Sequence, residues 1–242
     1  MTVFRQLRGR HGHFAVLAGD AKVAPAIAAS GGFAEGAVRL LGGLVRDGDV
    51  VVEIGAGIGA MAVPLARRIG PTGRLIALEP SRLRFLCLAA NAVLNELDGM
   101  EPRQSASGLA PGSVPLDSLG LDRLALLRIA VRGAGWTALA GAAETIGRCR
   151  PALHLHAAGE PSLRQAALRG LYGIGYRFWW QFAHFIPDET LEPGQANPFP
   201  AMGDAYLLGL PVEHWARPHL APVSAPGADW RADIEAFRNP QG

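Results

Sequence analysis

One stretch constrains the fold of this chain more than any other: an apolar run that ends in three closely spaced glycines. The run is Val50 to Ile54, and the glycines are Gly55, Gly57 and Gly59. Consecutive β-branched residues are typical of a strand buried on both faces of a parallel sheet. Glycines at its end let the backbone turn tightly and approach a ligand. A helix-compatible segment, 60–69, follows, so the stretch predicts the start of a nucleotide-binding α/β domain.

Strand-like and helix-like segments alternate along the rest of the chain, with short turns between them. We predict strands over residues 50–54, 74–78, 103–106, 124–131, 153–156, 176–182 and 205–210, and helices over 60–69, 134–146 and 162–171. Such alternation is typical of a mostly parallel sheet covered by helices on both faces. We therefore predict an α/β domain over residues 47–211. Residues 1–46 form an N-terminal extension with helical and strand-like parts, and 212–242 form a Pro-rich C-terminal tail.

A further helix is predicted after Ser81, which is a suitable N-cap residue. Its apolar side chains recur at helical spacing, which predicts that they share one face directed at the core. These residues are Leu83, Leu86, Cys87, Ala90 and Leu94. On this interpretation Cys87 is a core thiol.

Two nucleotide cofactors fit the glycine stretch. Glu79 ends the second strand, where its carboxylate can accept both hydroxyls of a ribose. The glycines with Ala60 also satisfy the dinucleotide pattern Gly-x-Gly-x-x-Gly/Ala, which favours a nicotinamide cofactor. Glu53, inside the first strand, is instead typical of a site for the cationic methionine part of S-adenosylmethionine (SAM). A glycine-rich turn without a ligand is the third alternative.

Composition limits the class of protein. Of the 242 residues 49% are hydrophobic and 18% charged, and the net charge is +2. The apolar content excludes a disordered chain, and the scattered arginines, interleaved with acids, do not predict nucleic-acid binding. No apolar run approaches the roughly 18 residues of a membrane span, and no signal peptide is recognisable. Two cysteines do not make a disulfide framework, so we expect a cytoplasmic protein.

Beyond the glycines, an ordered set of segments resembles the FkbM-type SAM-dependent methyltransferases. The segments occur in the family's order over roughly residues 11 to 180. They are Gly32 to Gly36, Val50 to Gly59, Pro64 to Ala66, Gly70 to Arg74, Leu78 to Pro80, Ala89 to Asn95, Leu116 to Leu119 and Leu126 to Ile129. The resemblance implies a class I, Rossmann-like methyltransferase fold with a seven-stranded, mostly parallel sheet. It also implies methyl transfer to a hydroxyl of a sugar or small metabolite.

The resemblance assigns a cofactor site. SAM would be held by Glu53, Gly55, Ala56, Gly57, Gly59 and Glu79, with Ser105 beside the adenine. The implied partners are SAM and a small-molecule or glycan acceptor, without nucleic acid, membrane or metal.

The chain departs from the family pattern where the acceptor would bind. The family has Asp and two Glu residues after its fourth strand, where this chain has Ala130, Arg132 and Gly135. Gly57 replaces the usual Asn of the glycine motif. Arg132 is either a solvated residue or a contact for an anionic acceptor. The missing carboxylates give two expectations: an active O-methyltransferase, or a degenerate member that binds SAM or a nucleotide as a partner or regulatory protein.

His156 is the remaining candidate base, because it ends the fifth strand, where the family carries Glu, and histidine is the side chain that most often acts as a general base. His154, two residues earlier, points to the same side of the strand. The pair could also ligate a metal, or His156 could be a structural, hydrogen-bonded residue. The aromatic residues of 176–185 could wall an acceptor pocket or belong to the core.

Overall fold

A computed structural model describes residues 3–107, 113–133 and 135–239. Three parts of the predictions lie outside the described residues. They are the first residue of the predicted helix 134–146, part of the loop before the fourth predicted strand, and the outermost residues of both terminal segments. The strands are β1 (Phe4–Gly9), β2 (Gly12–Leu17), β3 (Val50–Ile54), β4 (Arg74–Leu78), β5 (Met100–Arg103), β6 (Leu126–Ile129), β7 (Ala152–His156), β8 (Tyr176–His184) and β9 (Gly203–Pro211). The α-helices are α1 (Val23–Ser30), α2 (Glu35–Gly42), α3 (Ala62–Ile69), α4 (Arg82–Leu94), α5 (Gly135–Ala138), α6 (Ala143–Cys149), α7 (Pro161–Gly173) and α8 (Trp230–Arg238).

The described strands confirm the predicted α/β class: seven of them form a mostly parallel sheet flanked by helices. The chain divides into two compact units, residues 1–106 with 183–204, and residues 107–182 with 205–242. The first unit holds β5-β4-β3 and a separate hairpin, β1–β2. The second holds β6-β7-β9-β8, in which β9 runs antiparallel to β7. The proposed division of the chain at residues 46 and 211 stays a prediction.

In the first unit the register brings the carboxyl ends of the strands together. Ile54, the last residue of β3, pairs with Leu78, the last residue of β4, and Leu78 pairs with Arg103 of β5. Each residue of β3 is buried, as its run of apolar residues predicts. The glycine loop and Glu79 therefore leave the sheet at the same edge. β5 begins and ends three residues earlier than the predicted strand 103–106, so the predicted bounds were wrong. It contains Pro102, which is compatible with an edge strand.

The hairpin is attached to α4 by two side-chain amides. Asn91 accepts from the Ala15 N–H (2.5 Å) and donates to the Ala15 carbonyl (3.1 Å). One turn later, Asn95 accepts from the His13 N–H (3.0 Å) and donates to the His13 carbonyl (2.7 Å). The two carboxamides thus satisfy the N–H and carbonyl groups of alternate residues of β2, as the backbone of a neighbouring strand would. Sequence patterns do not predict β1, whose residues are mostly exposed or half-buried.

The face of α4 that packs on the protein differs from the predicted one. Its buried residues are Cys87, Leu88, Asn91 and Ala92, while Leu83, Leu86 and Leu94 are exposed. The prediction was wrong for these three leucines because the helix turns the side that carries Leu88, Asn91 and Ala92 towards the protein. Ser81 does precede the helix, yet its hydroxyl makes no capping hydrogen bond. Cys87 is buried as predicted, and burial raises the pKa of its thiol.

The second unit differs from prediction mainly in its helices. The segment 135–149 is divided into α5, a 3-10 turn (Leu139–Ala142) and α6, since Gly141 weakens a continuous helix. The tail contains an unpredicted helix, α8, capped by Asp229. Trp180 donates to Asp233 of α8 (2.7 Å), so this part of the tail is attached to β8. On β8 itself, Tyr176, Phe178 and Trp180 are buried and belong to the core.

We expect the substitution Asn91→Leu to lower the free energy of unfolding by about 2–4 kcal/mol, because it leaves both Ala15 groups and the Ile58 carbonyl without their partner. Urea denaturation followed by circular dichroism measures the change. Arg84→Ala, at an exposed position of the same helix, is the control and should change stability by less than about 0.5 kcal/mol. Equal effects of the two substitutions would contradict this account of the hairpin's attachment.

Candidate cofactor and acceptor sites

The loop after β3 turns through three left-handed glycines. The φ angles of Gly55, Gly57 and Gly59 are +80°, +60° and +88°. Side chains disfavour this region, so the glycine pattern is a conformational requirement. At Gly59 a Cβ would also lie 2.9 Å from Cδ1 of the buried Leu88. The spacing Gly-x-Gly-x-Gly thus follows from the turn itself.

The N–H groups of this loop are mostly engaged within the chain. Gly55 and Ala56 both donate to the Leu78 carbonyl, at 2.8 and 3.0 Å. Gly59 donates to the Ala56 carbonyl at 2.9 Å. On the other side, Asn91 donates to the Ile58 carbonyl at 2.7 Å. The end of β4 and the helix α4 together fix the position of the loop.

Glu79 connects the end of β4 to the glycine loop. Its Oε2 accepts from the Gly57 N–H (2.8 Å) and its Oε1 accepts from the Ser81 N–H (2.9 Å). The side chain is buried, with an exposed fraction of 4% for the residue. The structure therefore brings together two of the predicted cofactor residues, Glu79 and Gly57. Each carboxylate oxygen still has a second lone pair for a hydroxyl donor.

The loop borders open space at Gly57, because a Cβ at this residue would meet no heavy atom within 4 Å. Of the other predicted cofactor residues, Glu53 lies near the end of β3 and is buried. Ser105 follows β5 and is half-buried, and its hydroxyl donates to the Ala106 carbonyl (2.8 Å). A carboxylate acceptor beside a glycine with free space is the arrangement that a ribose requires, so these residues fit an adenosine cofactor.

The second unit contains a buried polar cluster formed by Arg128, His154, His156, Gln181 and Tyr206. The Arg128 guanidinium donates to the Tyr206 hydroxyl (3.2 Å). His154 stacks on the Tyr206 ring, with centroids 4.3 Å apart, and His156 meets the same ring edge-on at 5.0 Å. Tyr206 is thus the common contact of the cluster. Composition singles out neither Tyr206 nor Gln181, and sequence reasoning missed both.

His154 is a neutral imidazole. Its Nε2 lies 2.7 Å from Oε1 of Gln181, and since this oxygen only accepts, Nε2 carries the proton. Complete burial, reinforced by the positive charge of Arg128, lowers the pKa of His154 to about 3. Within the described residues no three His, Cys, Asp or Glu side chains are grouped as metal ligands.

His156, the predicted base, has a defined tautomer. Its Nδ1 accepts from the Ala158 N–H (3.1 Å), which places the proton of the neutral ring on Nε2. In this geometry the ring presents a donor rather than a base. His156 can take a proton at Nδ1 only when the Ala158 hydrogen bond opens.

The positions that carry acids in the FkbM pattern differ in their surroundings. Ala130 follows directly after β6 and Arg132 is exposed in the next turn. Gly135 begins α5 and is buried, and a Cβ there would lie 3.1 Å from Cγ2 of Ile129. A glutamate at Gly135 therefore requires Ile129 to shift. The shift that a Cβ at Gly135 requires is a few tenths of an ångström.

Comparison with solved structures finds proteins that resemble this chain. A Clostridium thermocellum protein described as a candidate rRNA-methylase matches at 15% identity and TM-score 0.52, covering 76% of this chain and 97% of that one. M. jannaschii TYW2 in complex with AdoMet, which is SAM, matches at 14% and 0.51, covering 87% and 86%. The methyltransferase FkbM from Methylobacillus flagellatus KT matches at 19% and 0.48, covering 69% and 45%.

The first two of these likenesses show a class I, Rossmann-like methyltransferase fold, as the sequence predicts. No protein-family model and no curated protein sequence matches the chain. In the described part of the chain, no helix combines the length and apolar character needed to cross a membrane.

The neutral His154 makes stability depend on pH. The folded pKa, about 3, lies below the value near 6.5 of an exposed histidine, so below pH 6.5 the unfolded chain binds a proton that the folded chain does not. We expect this residue alone to reduce the free energy of unfolding by about 1.4 kcal/mol for each pH unit between about pH 6 and the folded pKa of about 3. Urea denaturation of the wild type and of His154→Gln at pH 7 and pH 5 measures it. Equal losses in both proteins would contradict the assignment of this effect to His154.

Proposed function

We propose that this protein binds SAM and transfers its methyl group. The observation that carries the proposal is the buried Glu79 carboxylate, which holds the Gly57 N–H at the end of β4 in a class I methyltransferase fold. A carboxylate at this edge of a parallel sheet is placed to accept the two hydroxyls of a ribose. The open space beside Gly57 leaves room for the cofactor. When bound, SAM supplies an electrophilic methyl group on a sulfonium.

The hydrogen bonding of the glycine loop favours SAM over a dinucleotide. A dinucleotide places its pyrophosphate against free N–H groups of the loop and of the following helix. Here the N–H groups of Gly55, Ala56 and Gly57 are engaged with Leu78 and Glu79. SAM has no phosphate, and its methionine part is cationic at the sulfonium and amino groups. The buried acid Glu53 supplies a negative charge for that part.

We further propose an FkbM-type O-methyltransferase with a small-molecule or glycan acceptor. The ordered sequence segments from Gly32 to Ile129 support this family, and residues 47–211 are proposed as its methyltransferase domain. Methyl transfer is an in-line displacement in which alignment of donor and acceptor supplies much of the rate, up to roughly 7–11 kcal/mol. The proposed base is His156, which takes the acceptor's proton at Nδ1 on release of Ala158.

A second candidate function is binding of SAM without turnover. Two observations favour it: Nδ1 of His156 is occupied by the Ala158 N–H, and Gly135, which has no carboxylate, lies close to Ile129. A protein of this kind would bind SAM or a related nucleotide and act as a regulatory protein or as a partner of another protein. The two candidates share the Glu79 site and differ only in the acceptor side.

The cofactor is tested by calorimetric titration with SAM and with NAD. We expect SAM alone to bind, and Glu79→Ala to weaken it at least about tenfold, because two charge-assisted hydrogen bonds are lost. Glu101→Ala, which removes a carboxylate from the neighbouring strand β5, is the matched control and should bind normally. Binding of NAD in place of SAM, or unchanged binding by Glu79→Ala, would overturn the proposal.

Turnover is tested with labelled SAM and a panel of sugars, small metabolites, glycans and RNA. RNA is included because one structural neighbour is described as a candidate rRNA-methylase. We expect transfer to a hydroxyl and a loss of about 10²–10⁴-fold in kcat for His156→Gln, with a changed pH profile. His154→Gln, which alters the neighbouring histidine, is the control. SAM binding without any transfer would support the second candidate, and transfer unaffected by His156→Gln would remove the base assignment.

A further inference from the structure

The helix α4 exposes an apolar stripe of four residues: Leu83, Leu86, Ala90 and Val93. Leu83 is 47% exposed, Leu86 43% and Val93 79%, and Ala90 is half-buried. At 3.6 residues per turn the four positions fall within a sector of about 80°. The buried residues Cys87, Leu88, Asn91 and Ala92 occupy the other side of the helix. The stripe therefore faces away from the domain along most of the helix.

The spacing of the stripe is that of helices which pack against each other. Its intervals are three, four and three residues, the repeat of the apolar positions in a coiled-coil seam. A single exposed leucine needs no explanation, but a continuous stripe on one helix marks an interaction surface. The stripe is short, and thus suits a pair of helices of this length rather than an extended coil.

Charges at the two ends of α4 oppose the helix dipole. Arg82 is the first helical residue, while Glu96 and Asp98 follow the last turn, and all three are exposed. Cations are unfavourable at the positive N-terminal end of a helix and anions at its C-terminal end. In the described ranges none of these three side chains forms an ion pair. Within the described residues, these unfavourable charges at the two ends of α4 are therefore not neutralised by ion pairs.

We propose that a second copy of this chain covers the stripe, with the two α4 helices antiparallel about a two-fold axis. In this arrangement the basic start of each helix lies beside the acidic end of the other. Arg82 of each copy then faces Glu96 and Asp98 of the other copy, and the opposed helix dipoles also compensate. A parallel pair would instead bring like charges together. The surface is self-complementary, which selects a second copy over an unrelated partner. This inference is independent of the proposed methyl transfer.

Analytical ultracentrifugation of the full chain over a range of concentrations tests the proposal. We expect a reversible dimer that Leu86→Glu weakens by about a hundredfold or more, because Leu86 lies near the two-fold axis and the substitution buries two new carboxylates in an apolar seam. Leu163→Glu is the matched control: it places the same charge at a leucine 44% exposed on α7, and the dimer should persist. Circular dichroism verifies that both variants are folded. A wild type that stays monomeric, or a dimer unaffected by Leu86→Glu, would overturn the proposal.

A charge exchange distinguishes this antiparallel dimer from non-specific hydrophobic association through the stripe. Arg82→Glu should weaken the dimer about tenfold, because position 82 of each copy then repels Glu96 of the other. Adding Glu96→Arg should restore the dimer, because the new carboxylate at position 82 then faces the new guanidinium at position 96 of the other copy. The same Arg82→Glu substitution should raise the melting temperature of the monomer, because a carboxylate in the first turn interacts favourably with the positive end of the helix dipole. Opposite effects on association and on monomer stability are specific to the antiparallel pair. Failure of Glu96→Arg to restore the dimer would rule out this pairing.

Discussion

The chain must leave β3 at Ile54 and reach α3 at Ala62 while turning at the edge of the sheet, and this turn governs the candidate cofactor site. Left-handed glycines make the turn, and the Leu78 carbonyl, the Glu79 carboxylate and the Asn91 carboxamide hold it from two sides. Two other elements, the end of β4 and the helix α4, therefore determine one short loop. Glu79 has a double role, because the group proposed to accept the ribose also holds the loop that borders it.

The buried polar cluster of the second unit follows a different principle. Its members come from four strands, and Tyr206 provides a hydroxyl for Arg128 and a ring for both histidines. Burying such groups is unfavourable unless they are hydrogen-bonded. His154 meets this requirement through its hydrogen bond with Gln181, while complete burial keeps its imidazole neutral. His156, which stands where the FkbM pattern has Glu, belongs to this cluster.

Sequence patterns were most informative where a pattern has one geometric solution. A buried apolar run followed by spaced glycines predicted β3 and its turn, and the strand–helix alternation predicted the class of fold. They were least informative for α4, where periodicity shows that residues share a face but not which face is covered. The attachments of Asn91 to Ala15 and of Asn95 to His13 link residues 76 and 82 positions apart, and no local pattern encodes such pairs. The tautomer of His156 likewise depends on a main-chain N–H that spacing does not reveal.

The attachment of β2 to α4 has a consequence for how the protein avoids self-assembly through its strands. One edge of β2 pairs with β1, and the other edge is occupied at His13 and Ala15 by the two carboxamides. A strand edge with free N–H and carbonyl groups is a template on which another chain can add a strand and begin an aggregate. Side-chain amides from a helix close this template without adding a strand of their own. The hairpin can therefore lie outside the main sheet without β2 becoming a point of aggregation.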